Sequence, residues 1–202
     1  GASWRKDGVG RYLTRPFSGH EHDGVHSADE IMRGTRIHGR VVIYDDDHYY
    51  LASALALQLR AQGHPVVLVT PEPVFAGWNK FTEEHTMLMR SLLTAGVEIL
   101  TSRGLSRYEN GQVLLRCVYS GAESGVDADS LIPVTSRAPN DELWLSLQSR
   151  RAEFEARGGV SLQRIGDCRA PGIIATAIYA GHRAARELGA GAVAVKRDRV
   201  VV

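Results

Sequence analysis

The amino-acid sequence predicts an α/β fold with a parallel sheet that is covered on both faces. Three observations predict it: short runs are apolar along their whole length, helix-type segments separate these runs, and glycines close the helices. Strands that alternate with helices run parallel, because a crossover helix returns the chain to the starting end of the sheet. The chain of 202 residues is long enough for one or two domains with hydrophobic cores.

The first regular unit has the order strand, helix, strand. Residues 41–44 form a buried strand, residues 49–62 form a helix closed by Gly63, and residues 66–69 form a second buried strand. Both strands read as Val/Ile/Leu-rich runs without polar alternation, which is typical of strands buried on both faces. This pattern predicts a βαβ unit.

The α/β pattern then continues into a hairpin. Residues 80–95 form a helix that ends at Gly96, and residues 97–100 form a third strand. Asn110-Gly111 is a strong hairpin-turn signal, and residues 112–119 form the strand after it.

After Gly125 the pattern restarts with half of a second α/β unit. Residues 130–135 form a strand, and residues 141–157 form a helix with Asn140 as its N-cap. A nucleotide-binding domain opens with its own strand and glycine-rich turn, and no such element precedes Gly1. We therefore expect the chain to be a piece of a longer protein, with its first phosphate-binding turn upstream of residue 1.

The most informative segment runs from Leu162 to Leu188. It predicts a strand, a Gly166-Asp167 turn, and a helix over residues 173–188 with Pro171 at its opening. Glycine lets the backbone approach a ligand, aspartate accepts from a ribose or ribityl hydroxyl, and the amides of a helix N-terminus favour an anion. The segment predicts binding of a nucleotide or flavin phosphate.

Residues 1–39 show little periodicity, so we expect a surface excursion anchored by Trp4 and Phe17 rather than a domain. Five residues of types that bind metals occur close together here, namely His20, Glu21, His22, Asp23 and His26. They lie in irregular sequence without evident supporting groups, so a mobile polar loop is preferred over a metal centre.

An acidic and aromatic turn stands where a glycine-rich phosphate loop would follow the first strand. The chain has Asp45-Asp46-Asp47-His48-Tyr49-Tyr50 at this position. Three carboxylates repel a pyrophosphate and two large rings fill its space, so we expect no conventional NAD binding here. The three carboxylates and His48 could instead bind a divalent metal ion. A solvated acidic turn is the preferred interpretation, because it is the commoner outcome for such a run.

Composition excludes several classes of function. A net charge of +1 gives no reason to expect nucleic acid as a partner. No apolar run reaches the length of a membrane span and no leader is recognisable, which predicts a cytoplasmic location. Cys117 and Cys168 form neither a disulfide framework nor a metal motif and are expected to be buried, reduced thiols.

Other polar candidates have ordinary alternatives. Ser136-Arg137 and Arg150-Arg151 are candidates for phosphate contacts, although isolated arginines are usually surface charges or ion-pair partners. His182 fits either a cofactor contact or a packed helix residue, and the sequence leaves this choice open.

Five motifs, in their order along the chain, suggest a family. They are residues 1–4, 45–50, 134–137, 165–171 and 181–187. Together they resemble the C-terminal part of trimethylamine, dimethylamine and histamine dehydrogenases, which belong to the NADH:flavin oxidoreductase (old yellow enzyme) group. 2,4-Dienoyl-CoA reductase is a more distant relative. The resemblance covers nearly the whole chain.

The resemblance implies a fold and a parent protein. The fold is a Rossmann-like three-layer βαβ domain inserted into a partial FAD/NAD(P)-binding-type domain. Residues 39–125 are then the inserted NAD-like domain, residues 1–38 a loop-rich part of the FAD-like, ADP-binding domain, and residues 126–202 its return segment. The parent carries an upstream TIM barrel with FMN and an iron–sulfur cluster.

The resemblance also implies a role for the chain. The FAD-like domain binds ADP or FAD, and the residues expected to bind this cofactor are Gly1, Ala2, Ser3, Trp4, Gly166, Asp167, Cys168 and Gly172. No catalytic residue and no metal ligand are expected, because the chemistry takes place on FMN in the barrel, so the fragment alone is expected to be inactive. Expected partners are the barrel, an electron-transfer flavoprotein and a second copy of the protein, with no membrane.

The alternative function is a structural or docking module with vestigial nucleotide sites that presents a surface to an electron-transfer partner. An autonomous NAD(P)-binding enzyme ranks below both, because the first βαβ unit lacks a glycine-rich turn.

Overall fold

The computed structural model describes residues 1–156 and 162–189, and the chain divides into two compact units. The larger unit is Trp4–Arg137, and the smaller unit is Gly1–Ser3 together with Ala138–Val202. These divisions differ from the boundaries at residues 38/39 and 125/126 that the sequence analysis gives. The chain thus crosses between the units twice, once on each side of the larger unit.

The elements follow one another in a mixed order of helices and strands. In chain order they are β1 (Ala2–Trp4), α1 (Ala28–Met32), β2 (Val41–Asp45), α2 (Leu51–Ala61), β3 (Val66–Val69), a 3-10 helix (Gly77–Lys80), α3 (His85–Thr94), β4 (Glu98–Leu100), β5 (Arg103–Glu109), β6 (Gln112–Cys117), β7 (Glu123–Asp127), β8 (Ser130–Val134), β9 (Arg137–Pro139), α4 (Glu142–Ser149), α5 (Arg151–Ala156), a second 3-10 helix (Gly166–Cys168) and α6 (Ile174–Glu187).

A parallel sheet with the strand order β4-β3-β2-β8 forms the centre of the larger unit. Val41 of β2 pairs with Val66 of β3 on one side and with Ser130 of β8 on the other. Every residue of β2, β3 and β8 is buried, as the apolar runs predict. The strand order reverses at β2, because the chain adds β3 and β4 on one side and β8 later on the other.

The two faces of this sheet are covered by different structures. Ile43 packs with Leu55, Leu92 and other residues of the helices α1 to α3. Tyr44, the next residue of β2, packs on the opposite face with Leu115 and other residues of the antiparallel strands. The alternation of side chains along a strand thus divides the core into two clusters.

A three-stranded antiparallel sheet, β5-β6-β7, contains the predicted hairpin. Asn110 and Gly111 both have positive φ, at 50° and 72°, as a two-residue type I′ turn requires. Tyr108 pairs with Val113 beside this turn. The hairpin prediction is confirmed.

Most of the N-terminal segment is irregular and exposed or half-buried, as predicted for a surface excursion, and Phe17 anchors it in the core. Phe17, Val25 and Ile31 are buried, and Val25 forms a parallel bridge with Leu131 of β8. Helix α1 begins with a capping box between Ser27 and its third helical residue, which fixes its start.

Two predicted helices differ from the observed ones. The helix predicted from residue 80 begins at His85, after the 3-10 helix Gly77–Lys80. The helix predicted over residues 141–157 is interrupted at Arg150, and Arg157 lies outside the described residues. Its N-cap is Asp141 rather than Asn140, since Asn140 instead receives a hydrogen bond from the Ser3 hydroxyl.

In the smaller unit, none of the side chains at residues 1–3, 138–153, 156 and 162–189 is buried. Its helices leave large apolar side chains in solvent, including Leu143, Ile174 and Tyr179. Residues 162–165, where the sequence predicts a strand before the Gly166-Asp167 turn, form no strand. Among the described residues, no helix has the length and apolar character needed to cross a bilayer.

Candidate functional site

The strongest candidate site lies at the carboxyl ends of β2 and β8, where the strand order reverses. Ligands of open parallel sheets bind in the crevice at such a point, outside the strand ends. Asp45 is the last residue of β2, the turn after it supplies Asp46 and His48, and the chain after β8 supplies Thr135. All four residues belong to the larger unit.

The acidic turn is buried, so the preferred interpretation of a solvated turn is wrong. The exposed fraction is 0% for Asp45 and 1% for Asp46. The backbone N–H groups of Asp46 and Asp47 donate to the Val134 carbonyl at 2.9 Å and 3.1 Å, which ties the turn to β8. Burial is possible because each carboxylate has backbone donors.

Residues 9–12, which we call the strap, cross over this turn. The Asp46 Oδ2 atom accepts the N–H of Arg11 at 2.6 Å and that of Tyr12 at 2.8 Å. The Thr135 hydroxyl donates to the Val9 carbonyl at 2.9 Å. At Gly10 a Cβ atom would lie 2.5 Å from Asp46 Oδ2, so only glycine permits this approach. The strap therefore occupies the crevice.

The turn also contains a buried His48 with charged neighbours. Its Nε2 atom lies 3.3 Å from Asp46 Oδ1. Burial lowers the pKa of His48, but the hydrogen bond with Asp46 and the charges of Asp45 and Asp46 outweigh it, so the pKa is raised. Its backbone has a positive φ of 64°, and its N–H donates to Asp45 Oδ1 at 3.0 Å.

Asp45 is the most perturbed acid of the turn. Its Oδ2 atom is buried without a hydrogen-bond partner in the described structure. Burial raises the pKa of Asp45 to about 7, although the neighbouring His48 opposes the shift. Burial therefore lets this carboxyl group keep its proton to a higher pH than an exposed aspartate does.

The polarity of the crevice is the reverse of a phosphate site. In a dinucleotide domain, backbone amides of the turn bind a pyrophosphate anion. Here the turn supplies the anion, Asp46, and the strap supplies the amides. The anion position is thus filled by the protein itself. Among the described residues, no group of three or more His, Cys, Asp or Glu side chains is arranged to hold a metal ion.

A cavity of about 370 Å³ opens beside the strap, on the β3 side of the crevice. Its lining includes the polar side chains of Arg11, His48 and Glu72 and the aromatic rings of Trp78 and Phe81. Sequence reasoning missed this cavity, because its residues come from three separate loops.

The predicted cofactor-binding residues at the N-terminus fall into both units. Gly1, Ala2 and Ser3 lie in the smaller unit, where the Gly1 carbonyl accepts the Asn140 N–H at 2.9 Å. Trp4 lies in the larger unit, where its N–H donates to Asp29 Oδ2 at 2.7 Å and the Arg137 guanidinium lies 5.2 Å from its ring centre.

The second predicted group, Gly166, Asp167, Cys168 and Gly172, forms a compact turn before α6. Gly166 has a positive φ of 62°, and Asp167 Oδ1 accepts the Gly172 N–H at 3.2 Å. Gly172 has no space for a Cβ atom, which would lie 2.4 Å from Thr176 Oγ1. This turn lies in the same unit as Gly1, Ala2 and Ser3.

The remaining candidates take ordinary roles. The His22 ring packs edge-on against Tyr108 at 5.1 Å, so its loop is held by the core. Cys117 and Cys168 are half-buried free thiols, which corrects the prediction of full burial. Arg150 pairs with Glu153 at 2.8 Å. On α6, His182 is exposed.

Comparison with known proteins identifies the domain. A family model described as the OYE-like second alpha/beta domain matches residues 26–139. The chain belongs to this family. The match covers most of the larger unit. The strap, at residues 9–12, precedes the matched residues, so the segment that fills the crevice is not part of the match.

The relatives of this OYE-like domain include amine-oxidising enzymes. Dimethylamine dehydrogenase of Hyphomicrobium sp. (strain x) is 32% identical over 93% of the chain. Histamine dehydrogenase from Rhizobium sp. 4-9 superposes with a TM-score of 0.92 at 35% identity over 98% of the chain. The 6-hydroxypseudooxynicotine amine oxidase from Pseudomonas geniculata N1 gives a TM-score of 0.86 at 33% identity over 91%.

The chain spans less than a third of each of these relatives. It covers 28% of dimethylamine dehydrogenase, 31% of histamine dehydrogenase and 27% of the amine oxidase. The family resemblance found from the sequence motifs is confirmed at the level of the old yellow enzyme group and its amine dehydrogenases.

Proposed function

We propose that this chain is the C-terminal nucleotide-binding region of a multidomain, FMN-dependent amine dehydrogenase-type oxidoreductase. The observation that carries the proposal is the match to dimethylamine and histamine dehydrogenases. The match covers more than nine-tenths of this chain but less than a third of the length of either dehydrogenase. Substrate oxidation then takes place on FMN in the rest of the parent, with an iron–sulfur cluster as the next electron carrier. An electron-transfer flavoprotein is the proposed acceptor.

The smaller unit is the proposed ADP or FAD site, as a part of a FAD-like domain. The turn at Gly166 and Asp167 precedes α6, so backbone N–H groups of the helix start are available for a phosphate. Gly1, Ala2 and Ser3 supply a second loop in the same unit. The absence of buried side chains among the described residues of this unit supports completion of the site by further chain of the parent.

The larger unit is the proposed NAD-like, Rossmann-like domain, without a dinucleotide. Asp46 and the strap fill the position of a pyrophosphate, and a carboxylate there repels one. This supports electron exit to a flavoprotein rather than exchange with a nicotinamide nucleotide.

Calorimetry with ADP, FAD and NADH tests the proposal on the full-length parent and on the chain. ADP or FAD binding to the parent, weakened by Asp167→Ala and not by the matched exposed variant Glu142→Ala, is the expected result. NADH binding that survives Asp167→Ala, or nucleotide binding insensitive to Asp167→Ala, overturns it.

A docking module is the second candidate, because α4 and α6 leave Leu143, Ile174 and Tyr179 in solvent. Apolar surface of this kind marks an interaction site or a missing partner. If the parent binds no nucleotide but loses affinity for its electron-transfer flavoprotein when Tyr179 is changed to serine, this second function is supported instead.

A further inference from the structure

A second cavity, of about 270 Å³, opens at the end of the central sheet opposite to the crevice. His38 precedes β2 and His64 precedes β3, so the cavity lies at the amino ends of these strands. Gln58 and Gln62 line it from the end of α2. These residues all belong to the larger unit, so one unit alone forms the cavity.

The buried part of the lining is apolar. Ile31, Ile37 and Leu59 are nearly fully buried members of the core cluster on the helix side of the sheet, and we call them the floor. Because the floor belongs to the packed core, the shape of the cavity is fixed before a ligand binds. Small-molecule sites combine such an apolar wall with a few polar groups that orient the ligand.

The lining carries positive charge and no negative charge. Arg36 is its one permanently charged residue, and none of the lining residues is acidic. The loop over residues 33–40 contains three arginines and no acid. The carboxylates that contact this loop from outside are engaged by Arg40, whose N–H donates to Asp129 Oδ2 at 2.7 Å and whose guanidinium donates to Glu98 at 2.9 Å. The Arg36 guanidinium has no partner among the described residues, so it is available to an anion.

The same loop offers backbone donors. The three successive N–H groups of residues 36–38 have no acceptor within the part of the chain that the structure describes. Successive free N–H groups of a loop form concave sites for anions. The last carbonyls of α2 are capped, since the Leu59 carbonyl accepts the His64 N–H at 3.0 Å and the Arg60 carbonyl accepts the Gly63 N–H at 3.0 Å. Capping weakens the negative potential of this helix end.

His64 ties two walls of the cavity together. Its Nδ1 atom lies 3.1 Å from the Gly39 carbonyl, and Nδ1 carries a proton because a carbonyl can only accept. The Arg60 guanidinium donates to the His64 carbonyl at 2.9 Å, which holds this residue against α2. The loop before β2 is thus attached to the loop before β3, and the donors are held in place without a ligand.

We propose that this cavity binds a small organic carboxylate. Arg36 and the N–H groups of residues 36–38 hold the carboxylate, and the floor contacts the apolar body. The one permanent positive charge of the lining matches a monoanion, whereas a phosphate monoester carries about 1.5–2 negative charges near neutral pH. The site is at the opposite end of the sheet from the crevice and does not depend on the proposed nucleotide sites.

Hexanoate is the probe that tests the site, because it has one carboxylate and an apolar chain. Titrated into the full chain, it should shift the amide NMR resonances of residues 36–38 in a saturable manner. Hexanamide, which has a similar shape without the charge, should give no saturable shift. Acetate, which lacks the apolar chain, should bind about tenfold more weakly, which corresponds to about two buried methylene groups.

Two substitutions locate the site. Arg36→Gln should weaken hexanoate binding about tenfold, the size of one hydrogen bond to a charged group, and Arg90→Gln on α3 should not change it. Gln58→Glu adds a negative charge to the lining and should abolish saturable binding, whereas Ala54→Glu adds the same charge near the start of α2 and should preserve it. All four positions are exposed, so the melting temperature should stay unchanged, which is checked in parallel.

Four results would overturn the proposal. Hexanoate shifts that survive both Arg36→Gln and Gln58→Glu place the binding elsewhere. Equal binding of hexanamide shows a purely apolar pocket, and binding of inorganic phosphate without any response to hexanoate shows a phosphate site. The fourth is the absence of a saturable shift at tens of millimolar hexanoate. The nucleotide proposal is tested separately by Asp167→Ala, so failure of one proposal is distinguishable from failure of the other.

Discussion

The Asp46 carboxylate accepts the backbone N–H of Arg11 at 2.6 Å, across 35 residues of sequence. The same oxygen accepts the next backbone N–H, from Tyr12. Two N–H groups on one carboxylate oxygen are the arrangement that helix starts and phosphate loops offer to an anionic ligand. The Asp46 carboxylate therefore takes the position that an anionic ligand would occupy. Substitution of Asp46 tests the importance of its hydrogen bond with Arg11.

Replacing Asp46 by alanine should release the strap. Two part-buried N–H groups lose their acceptor and the buried His48 loses its partner, so the free energy of unfolding should fall by about 2–3 kcal/mol. Amide hydrogen exchange at Arg11 and Tyr12 should accelerate more than elsewhere in the chain. Asp46→Asn, which keeps an acceptor oxygen, should give a smaller effect, and the exposed Asp23→Ala none. Unchanged protection of both amides in Asp46→Ala contradicts the role of this carboxylate.

Replacing Gly10 by alanine tests the fit of the strap against the turn. The added Cβ would lie 2.5 Å from Asp46 Oδ2 and 2.9 Å from Thr135 Cβ, so it cannot be accommodated without movement. The expected loss of stability is about 1–3 kcal/mol in urea unfolding, as for other overpacked sites. Gly77→Ala is the matched control, because its Cβ would meet no atom within 4 Å. Equal stabilities of the two variants would show that the close approach has no energetic consequence.

The buried Asp45 should make stability depend on pH. Its folded-state pKa of about 7 is above its ordinary value of 3.8, so the folded state binds this proton more tightly than the unfolded state. Its contribution to stability is therefore largest at low pH and is lost as the pH rises from about 4 to about 7. Between pH 5 and pH 8 the unmodified chain should lose up to about 3 kcal/mol relative to Asp45→Asn. Unfolding in urea at both pH values measures this difference, and parallel pH profiles of the two proteins contradict it.

Removing apolar surface from α6 should reduce self-association of the chain. Ile174 is 76% exposed at the first position of this helix. Ile174→Glu removes an exposed apolar side chain and adds a negative charge near a helix N-terminus, where it is tolerated. Sedimentation at increasing concentration should give a smaller average mass, with stability within about 0.5 kcal/mol of the original. Ser146→Glu on α4 adds the same charge without removing apolar surface and should leave the mass distribution unchanged.

The parallel strands could be predicted because their signal is local. Residues 41–44 and 66–69 are apolar throughout, and a strand buried on both faces needs no polar alternation. The Asn110-Gly111 turn is equally local, since both residues tolerate positive φ. What the pattern could not predict is that helices cover one face and an antiparallel sheet covers the other.

The buried acidic turn could not be predicted, because its partners are remote in sequence. From the sequence alone, Asp46 is expected to be a solvated carboxylate. Its burial depends on the N–H groups of Arg11 and Tyr12, which donate to it in the folded chain. Nothing in the residues around Asp46 indicates those donors. The cavity at Trp78 escaped notice for the same reason, since Arg11, His48 and Glu72 meet only in the folded chain.

Part of the N-terminal segment did carry a usable signal. Ser27 and Glu30 have the spacing of a capping box, which indicates the start of a helix. Phe17 and Val25 are isolated apolar residues without periodicity, and their burial depends on partners in β5 and β8. The sequence analysis predicts Phe17 as an anchor of this segment, but the partners of Phe17 and Val25 could not be read from the sequence.

The position of β8 beside β2 determines the order in which the chain can fold as it leaves the ribosome. Strand β2 can pair with β3 early, but its other edge must wait until the whole antiparallel sheet has been made. Over that interval β2, every residue of which is buried in the folded chain, has an unpaired edge, which is a template for pairing with a neighbouring nascent chain. We expect the closure of this edge to be a late and slow step of folding, because it joins residues that are far apart in sequence.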